Sequence, residues 1–391
     1  MQKFSLVMFV IIILSFGTSI YAADAGWERM IGSPDKNEEA NSVIVTAKGN
    51  YIIGGSVRPS EHGGKDLMIM QVSPAGQIVW QKAYGGAFDD YGLMAQPAWD
   101  GGYVLVGEKN INGEDVAGIY LVKTDSKGDS IWTQTYEAEH YYITANAIRQ
   151  TKDSGYVILG TTDYNSKGYY DVFLMKVNAK GNYEWDQNYG SGGNDFGNSV
   201  ELTKDSGYLI TGSTNSSANG IEMYVIKTDK DGDTLWTRIM GGKYTDIALS
   251  AKETDGGYII CGEINMMSTD LKSNAILIKL DKDGTTVWEK EYGGEANDGF
   301  QAILVTKDKG VIAAGYTNSY SKGGKDVYLV KTDSMGNELW YKTFGGTKTD
   351  YATSICQTKD AEFIIAGTYS LPGDNSTDVY LIKTDANGNI K

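Results

Sequence analysis

Lys227-Thr228-Asp229-Lys230-Asp231-Gly232-Asp233-Thr234-Leu235-Trp236 is the stretch that decides the fold. An apolar run ends at Lys227, a Gly/Asp turn follows, and a short strand carries an indole. The motif recurs along the chain. Trp27, Trp80, Trp132, Trp185, Trp236, Trp288 and Trp340 are separated by 53, 52, 53, 51, 52 and 52 residues. A fixed period of this length marks a repeat architecture in which each unit is one supersecondary element.

Outward from each Trp the unit resolves into four pieces. The first is a stretch such as Ser199-Val200-Glu201-Leu202-Thr203. A tight turn follows, as in Lys152-Asp153-Ser154-Gly155. An apolar run ending in Gly comes next, as in Tyr258-Ile259-Ile260-Cys261-Gly262. After a longer polar loop come Asp326-Val327-Tyr328-Leu329-Val330-Lys331 and the turn Asp333-Ser334-Met335-Gly336-Asn337. Short runs rich in Val, Ile, Leu and Tyr between Gly/Asp/Asn/Ser turns read as strands. The turns suit hairpins that need a residue of positive φ, which Gly supplies without steric cost. Four antiparallel strands repeated seven times predict an all-β, seven-bladed β-propeller over residues 23–391, with the Trp strand outermost. The strand-ending glycines Gly55, Gly107, Gly160, Gly212, Gly262, Gly315 and Gly367 read as a packing constraint between blades. The chain stops at the turn Asp385–Asn389, so Trp27-Glu28-Arg29-Met30-Ile31 is expected to supply the outer strand of the last blade, leaving no open edge. The eighth Trp, Trp99, falls off the register in a turn and is expected to be exposed.

The hairpin into Trp236 resembles the tryptophan-docking motif of quinoprotein-dehydrogenase-like propellers. The pattern Gly-Gly-Tyr-Ile-Ile-x-Gly followed by Asp-Val-Tyr-Leu-Ile-Lys-Thr-Asp, matched well by Gly256–Gly262 and, in another unit, by Asp378–Asp385, is similar to the repeats of a secreted bacterial seven-bladed β-propeller family, over residues 23–391. That resemblance implies the fold and an extracytoplasmic setting. Quinoproteins bind PQQ with calcium, typically on eight blades. Seven units and the lack of a vicinal Cys pair set this chain apart, and their activity is not carried over.

Residues 1–22 read as a cleaved secretory signal: Lys3, the apolar run Leu6–Leu14, and Ile20-Tyr21-Ala22 before the cut. The expected location is secreted, periplasmic or at the cell surface, with no later membrane span and a monomer as the expected state. The net charge of −15 argues against nucleic acid and anionic membranes as partners. The only cysteines, Cys261 and Cys356, fall in non-neighbouring blades, so two buried free thiols are expected rather than a disulfide.

Strand order puts the loop after each Trp strand, and the long loop after each strand-ending Gly, on one face, here called the top. Ligand sites favour loops carried by a rigid scaffold. Two candidates lie there. Glu38, Asp90, Asp195, Asp246, Asp298 and Asp350 occupy one repeat position, with Ile143 as the exception, and are expected to ring the channel mouth. They either collect a hard cation such as calcium or cap their own loops through backbone N–H groups. No cofactor is firmly implied. The second candidate is blade 3, where the pattern breaks into Tyr136-Glu137-Ala138-Glu139-His140-Tyr141-Tyr142 and the next top loop carries Tyr164, Tyr169 and Tyr170. Aromatic rings beside carboxylates suit contact with a sugar or peptide; the alternative is loop drift with local packing. His62, the other histidine, also falls on a top loop. Asp229–Asp233 lacks the spaced Glu of a calcium loop and reads as a hairpin turn. No nucleophile elbow, zinc-protease helix, phosphate loop or Cys cluster occurs.

These readings favour a non-enzymatic extracytoplasmic propeller that takes a protein or glycan on its top face. The alternative is a hydrolase, lyase or quinoprotein-like dehydrogenase at the channel mouth, built on the carboxylate ring and a cation. A third reading is a scaffold module without a small-molecule site.

Overall fold

The computed structural model describes residues 27–32, 37–58, 64–110, 117–137, 141–217, 220–266, 272–373 and 376–390. The signal segment, His62 and His140 lie outside the described residues. The described chain forms seven four-stranded antiparallel sheets arranged as a ring of blades. Six blades use four consecutive strands. The seventh is closed by Trp27–Ile31, which pairs with Thr377–Thr384 from Trp27↔Lys383 to Ile31↔Val379.

Burial follows strand position. The second and third strands are mostly buried, and wholly so in Tyr208–Thr214 and Asp326–Thr332, because neighbouring blades cover both faces. This is why they are continuously apolar rather than alternating. The outer strands, such as Thr234–Met240, keep one face in water.

Each Trp joins its blade to the next. In the register, Trp132, Trp185, Trp236, Trp288, Trp340 and Trp27 stand opposite Lys123, Lys176, Lys227, Lys279, Lys331 and Lys383. The indole covers the glycine of the next blade's outer hairpin. At Gly336 (φ +75°) a Cβ would stand 2.8 Å from Trp288 Cη2, and at Gly388 2.7 Å from Trp340 Cη2. Trp236 Nε1 donates to Lys282 O at 3.2 Å, and Trp27 Nε1 to Pro74 O at 3.1 Å, so the closing strand docks as the others do. Tyrosines four residues beyond the Trp add a second tie: the hydroxyls of Tyr189 and Tyr292 each donate at 2.6 Å to the carbonyls of Gly232 and Gly336.

The buried lysines close the inner hairpins. Lys123, Lys176, Lys227 and Lys331 reach Asp100, Asp153, Asp205 and Asp308 at 2.7, 2.8, 2.9 and 3.0 Å. Here the glycines differ from the sequence expectation. Positive φ falls on Ser154 (68°), and Gly155 is needed for space instead, because its Cβ would meet Lys176 Nζ at 2.4 Å and Val177 O at 2.5 Å.

The glycines ending the second strands also serve a different purpose from the one expected. A Cβ at Gly212 would lie 1.8 Å from Phe196 O, and one at Gly367 1.9 Å from Tyr351 O. Both oxygens belong to the inner strand of the same blade, which is bulged there. The constraint lies within the sheet, where a classic bulge brings backbone against backbone.

The inner strands line the channel and hydrogen-bond around it. Asn41 Nδ2 donates to Gly92 O (2.8 Å), Asn146 Nδ2 to Gly197 O (2.6 Å), Asn198 Nδ2 to Ala248 O (3.0 Å) and Thr353 Oγ1 to Ala40 O (2.6 Å). The last of these spans the closure between blades 7 and 1. Both cysteines are free, as expected. Cys261 is buried, whereas Cys356 is only partly so, because it lies on the inner strand and faces the channel. Trp99 is 62 % exposed. No helix among the described residues is long and apolar enough to cross a membrane.

Candidate binding site on the top face

Blades 3 and 4 meet on the top face through backbone. Asp195 N donates to Tyr170 O at 2.7 Å, and Tyr169 N to Gly193 O at 3.2 Å. Asn194 N in turn bonds Asn215 Oδ1 at 2.5 Å. The loop after the Trp185 strand is thus held between the long loops of both blades, on one face as the strand order requires.

A run of rings crosses this junction. Tyr141 meets Tyr164 edge-on at 4.9 Å, Tyr142 meets Tyr170 edge-on at 5.4 Å, and Tyr170 leans on Phe196 at 5.9 Å. Tyr169 is 77 % exposed, and Tyr141, Tyr142, Tyr164 and Phe196 are exposed as well. Edge-to-face pairs at such distances hold each other in place while leaving other faces open.

The loops beneath are tied down. Tyr142 N donates to Asp163 Oδ1 at 2.6 Å, and Thr162 Oγ1 donates to Tyr142 O at 2.9 Å. Tyr164 N donates to Thr162 Oγ1 at 3.0 Å, and Asn188 Nδ2 to Tyr164 O at 2.7 Å. Lys167 N caps onto Asp171 Oδ2 at 3.0 Å. Burial, with the Glu108 carboxylate nearby, pushes the Tyr142 phenol up. Burial also raises the Glu108 carboxyl. The platform therefore presents exposed ring faces on tied-down loops, with the Glu108 carboxyl near the Tyr142 phenol.

Of the blade 3 tyrosines singled out from the sequence, Tyr141 and Tyr164 lie in ring contact, as do Tyr142 and Tyr170, with the exposed Tyr169 next to Tyr170 in the chain. Tyr136 does not join them. Its hydroxyl donates to Gly181 O at 2.5 Å and its ring packs against an inter-blade core, as Tyr84, Tyr189 and Tyr292 do in their blades. Burial pushes its phenol up. Phe196 is the ring that sequence reading missed. Its signal was the aromatic residue directly after the repeat acid, a position that Tyr91 and Tyr351 share.

The six repeat acids lie apart. Each is buried at the start of its inner strand, and none lines the channel cavity. Asp246 accepts from Gly242 N and Asn265 N, both at 2.7 Å. Asp350 accepts from Gly346 N at 2.7 Å and Ser370 N at 3.0 Å. Asp195 and Asp298 accept from Ser191 N and Gly294 N in the same way. Loop capping is the bond pattern these carboxylates make. Among the described residues no group of three or more His, Cys, Asp or Glu is arranged to hold a metal. Asp229–Asp233 is a hairpin, with Asp229 Oδ1 accepting from Asp231 N and Asp233 N at 2.9 Å each.

The channel itself, about 650 Å³, carries an off-centre charge cluster. Glu201 stands between Lys252 (2.7 Å) and Arg149 (3.6 Å). Burial pushes the Lys252 amine down, against the opposing pull of Glu201.

No protein-family model matches the chain. Among curated proteins, a 193-residue segment is 23 % identical to the regulatory protein FlaEY of Caulobacter vibrioides, covering 41 % of this chain and 20 % of that protein. Two solved structures share the fold. Polysaccharide lyase Uly1 superposes with a TM-score of 0.56 at 8 % identity, over 89 % of this chain and 90 % of that one. A puromycin hydrolase superposes with a TM-score of 0.53 at 13 % identity, over 90 % of this chain and 54 % of that one. The chain thus spans about half of the hydrolase and a fifth of FlaEY. At these identities the likeness is one of fold.

Proposed function

We propose that this chain is an exported, non-catalytic binding propeller of the secreted bacterial seven-bladed type, taking a protein or glycan partner on the top face at blades 3 and 4. The observation that carries the reading is the group of exposed rings Tyr141, Tyr142, Tyr164, Tyr169 and Phe196, with the half-buried Tyr170 between Tyr142 and Phe196. The rings stand on loops pinned by backbone bonds, so binding costs little ordering of the site. Flat rings with hydroxyl edges match the apolar faces and polar rims of sugars and extended peptides.

The test is a combined Tyr141→Ala, Tyr169→Ala, Tyr170→Ala variant, offered beside the parent chain to immobilised polysaccharides and peptides. Ring contacts of about 0.5–1.5 kcal/mol each predict at least about a tenfold loss of affinity in a protein that melts as the parent does. Equal binding by both chains removes this face from the function.

A further inference from the structure

Three blade junctions share a feature that the top-face reading leaves unused. At each, two carboxylates, all buried except the half-buried Asp66, converge on the first glycine after the outer strand. The point where a Cβ at Gly345 would stand lies 2.7 Å from Asp326 Oδ1 and 2.8 Å from Asp350 Oδ2. At Gly190 the corresponding distances are 2.4 Å to Asp171 Oδ1 and 2.6 Å to Asp195 Oδ2. At Gly85 they are 2.0 Å to Asp66 Oδ1 and 2.7 Å to Asp90 Oδ2. One acid comes from the third strand of a blade and the other from the inner strand of the next, so each pair bridges two blades.

An independent observation points to a ligand. Asp171 and Asp326 are wholly buried. Each uses Oδ2 to cap its own loop, accepting from Lys167 N at 3.0 Å and Lys322 N at 3.1 Å. Their Oδ1 atoms have no hydrogen-bond partner and face the neighbouring acid. Asp90, also wholly buried, leaves Oδ2 unpartnered toward Asp66. No Lys or Arg among the described residues forms a salt bridge to any of the six. Two carboxylates in so dry a place repel unless a positive charge joins them.

The junction between blades 5 and 6 supplies an internal contrast. There the third strand begins with Asn274 instead of an acid. The lone Asp298 is satisfied by hydrogen bonds, from Ser319 Oγ at 2.6 Å and Gly294 N at 2.9 Å. In the paired junctions the inner-strand acids Asp195 and Asp350 are capped by donors in the same way, from Ser191 N and Ser216 Oγ and from Gly346 N and Ser370 N, and it is the added third-strand acid, Asp66, Asp171 or Asp326, that keeps an oxygen without a donor.

We propose that the three paired-acid junctions each take a hard divalent cation, calcium by its preference for carboxylate and carbonyl oxygen, which ties adjacent blades on the top face. The site differs from a ring at the channel mouth: each ion belongs to one blade junction and needs two carboxylates.

Equilibrium dialysis of the chelator-treated, folded chain against calcium alone, at neutral pH, tests this directly. Three ions per chain are expected. Asp326→Asn and Asp171→Asn, which keep shape and loop caps, should each lose one ion, and Asp298→Asn should lose none. Calcium should also raise the melting temperature of the parent more than that of the Asp171→Asn, Asp326→Asn double variant, by mass action on the folded state. No calcium bound at millimolar concentration, or a count unchanged by the Asp326→Asn substitution, overturns the proposal. A melting temperature that responds to pH but not to calcium also overturns it, because a shared proton then joins each pair.

Discussion

Replacing Gly336 by Ala tests how the blades are joined. The residue has φ +75°, where an L side chain costs about 1–2 kcal/mol. The new Cβ would also stand 2.8 Å from both Cζ3 and Cη2 of Trp288 and 3.2 Å from Lys290 Cδ. The indole must lift, and overpacking of this kind costs about 1–3 kcal/mol. The expected loss is therefore about 2–5 kcal/mol. Gly101 provides the control. It has φ +87° in a hairpin, and a Cβ there meets nothing within 4 Å. Gly101→Ala should lose only the backbone part. The difference between the two variants, about 1–3 kcal/mol, isolates indole docking. Urea unfolding followed by Trp fluorescence, with unchanged m-values, reads both numbers. Losses equal to within about 0.5 kcal/mol, near the scatter between independent sites, would refute the idea that the indole contact with Gly336 joins blade 5 to blade 6.

Three further outcomes follow from the charged and phenolic groups. Burial would raise the Asp153 carboxyl, but the Lys176 ammonium, the Thr151 hydroxyl and Gly155 N–H hold it down at about 2; Thr306, Lys331 and Gly310 N–H hold Asp308 at about 2 despite burial. Depressed carboxyls stabilise the fold above their unfolded value near 3.8 and lose that contribution as pH falls toward 2, so the melting temperature should drop between about pH 4 and 2. An Asp153→Asn, Asp308→Asn variant should show a shallower drop; parallel curves contradict the assignment. Glu201→Gln leaves Lys252 and Arg149 facing each other in the channel and should cost about 1–3 kcal/mol in chemical unfolding, with no change meaning that water already screens the cluster. Burial pushes the phenols of Tyr51, Tyr156, Tyr208 and Tyr258 up to about 12, so absorbance titration of the folded chain should leave tyrosinate signal missing at pH 11 that appears on unfolding; a complete signal at pH 11 contradicts their burial.

The ring was legible because its causes are local and repeat: Trp at one register, Gly in the hairpin beneath it, and Lys opposite it. What was read less well depended on where backbone approaches backbone. Gly155 and Gly212 were visible as glycines, but the Val177 and Phe196 carbonyls that demand them come from the strand paired alongside, and their approach depends on the local bulge and turn geometry. Side-chain direction was the other difficulty. Counting residues placed Asp350 and its equivalents correctly at the start of each inner strand, yet not that they turn into the blade stack rather than into the channel. Tyr136 looked like part of an unusual loop, although its spacing from Trp132 matches that of Tyr189 from Trp185, which ties hairpins. The tyrosines of blade 3 could be found because the repeat breaks there. Phe196, in an otherwise regular blade, joins them only across the ring.

The most direct test of the binding face is hydroxyl-radical footprinting of the chain with and without a saturating captured partner. Protection should concentrate on Tyr141, Tyr164, Tyr169, Tyr170 and Phe196. Trp99, 62 % exposed on a hairpin of the opposite face, should react equally in both states. Protection of Trp99 with the tyrosines unchanged would contradict the account.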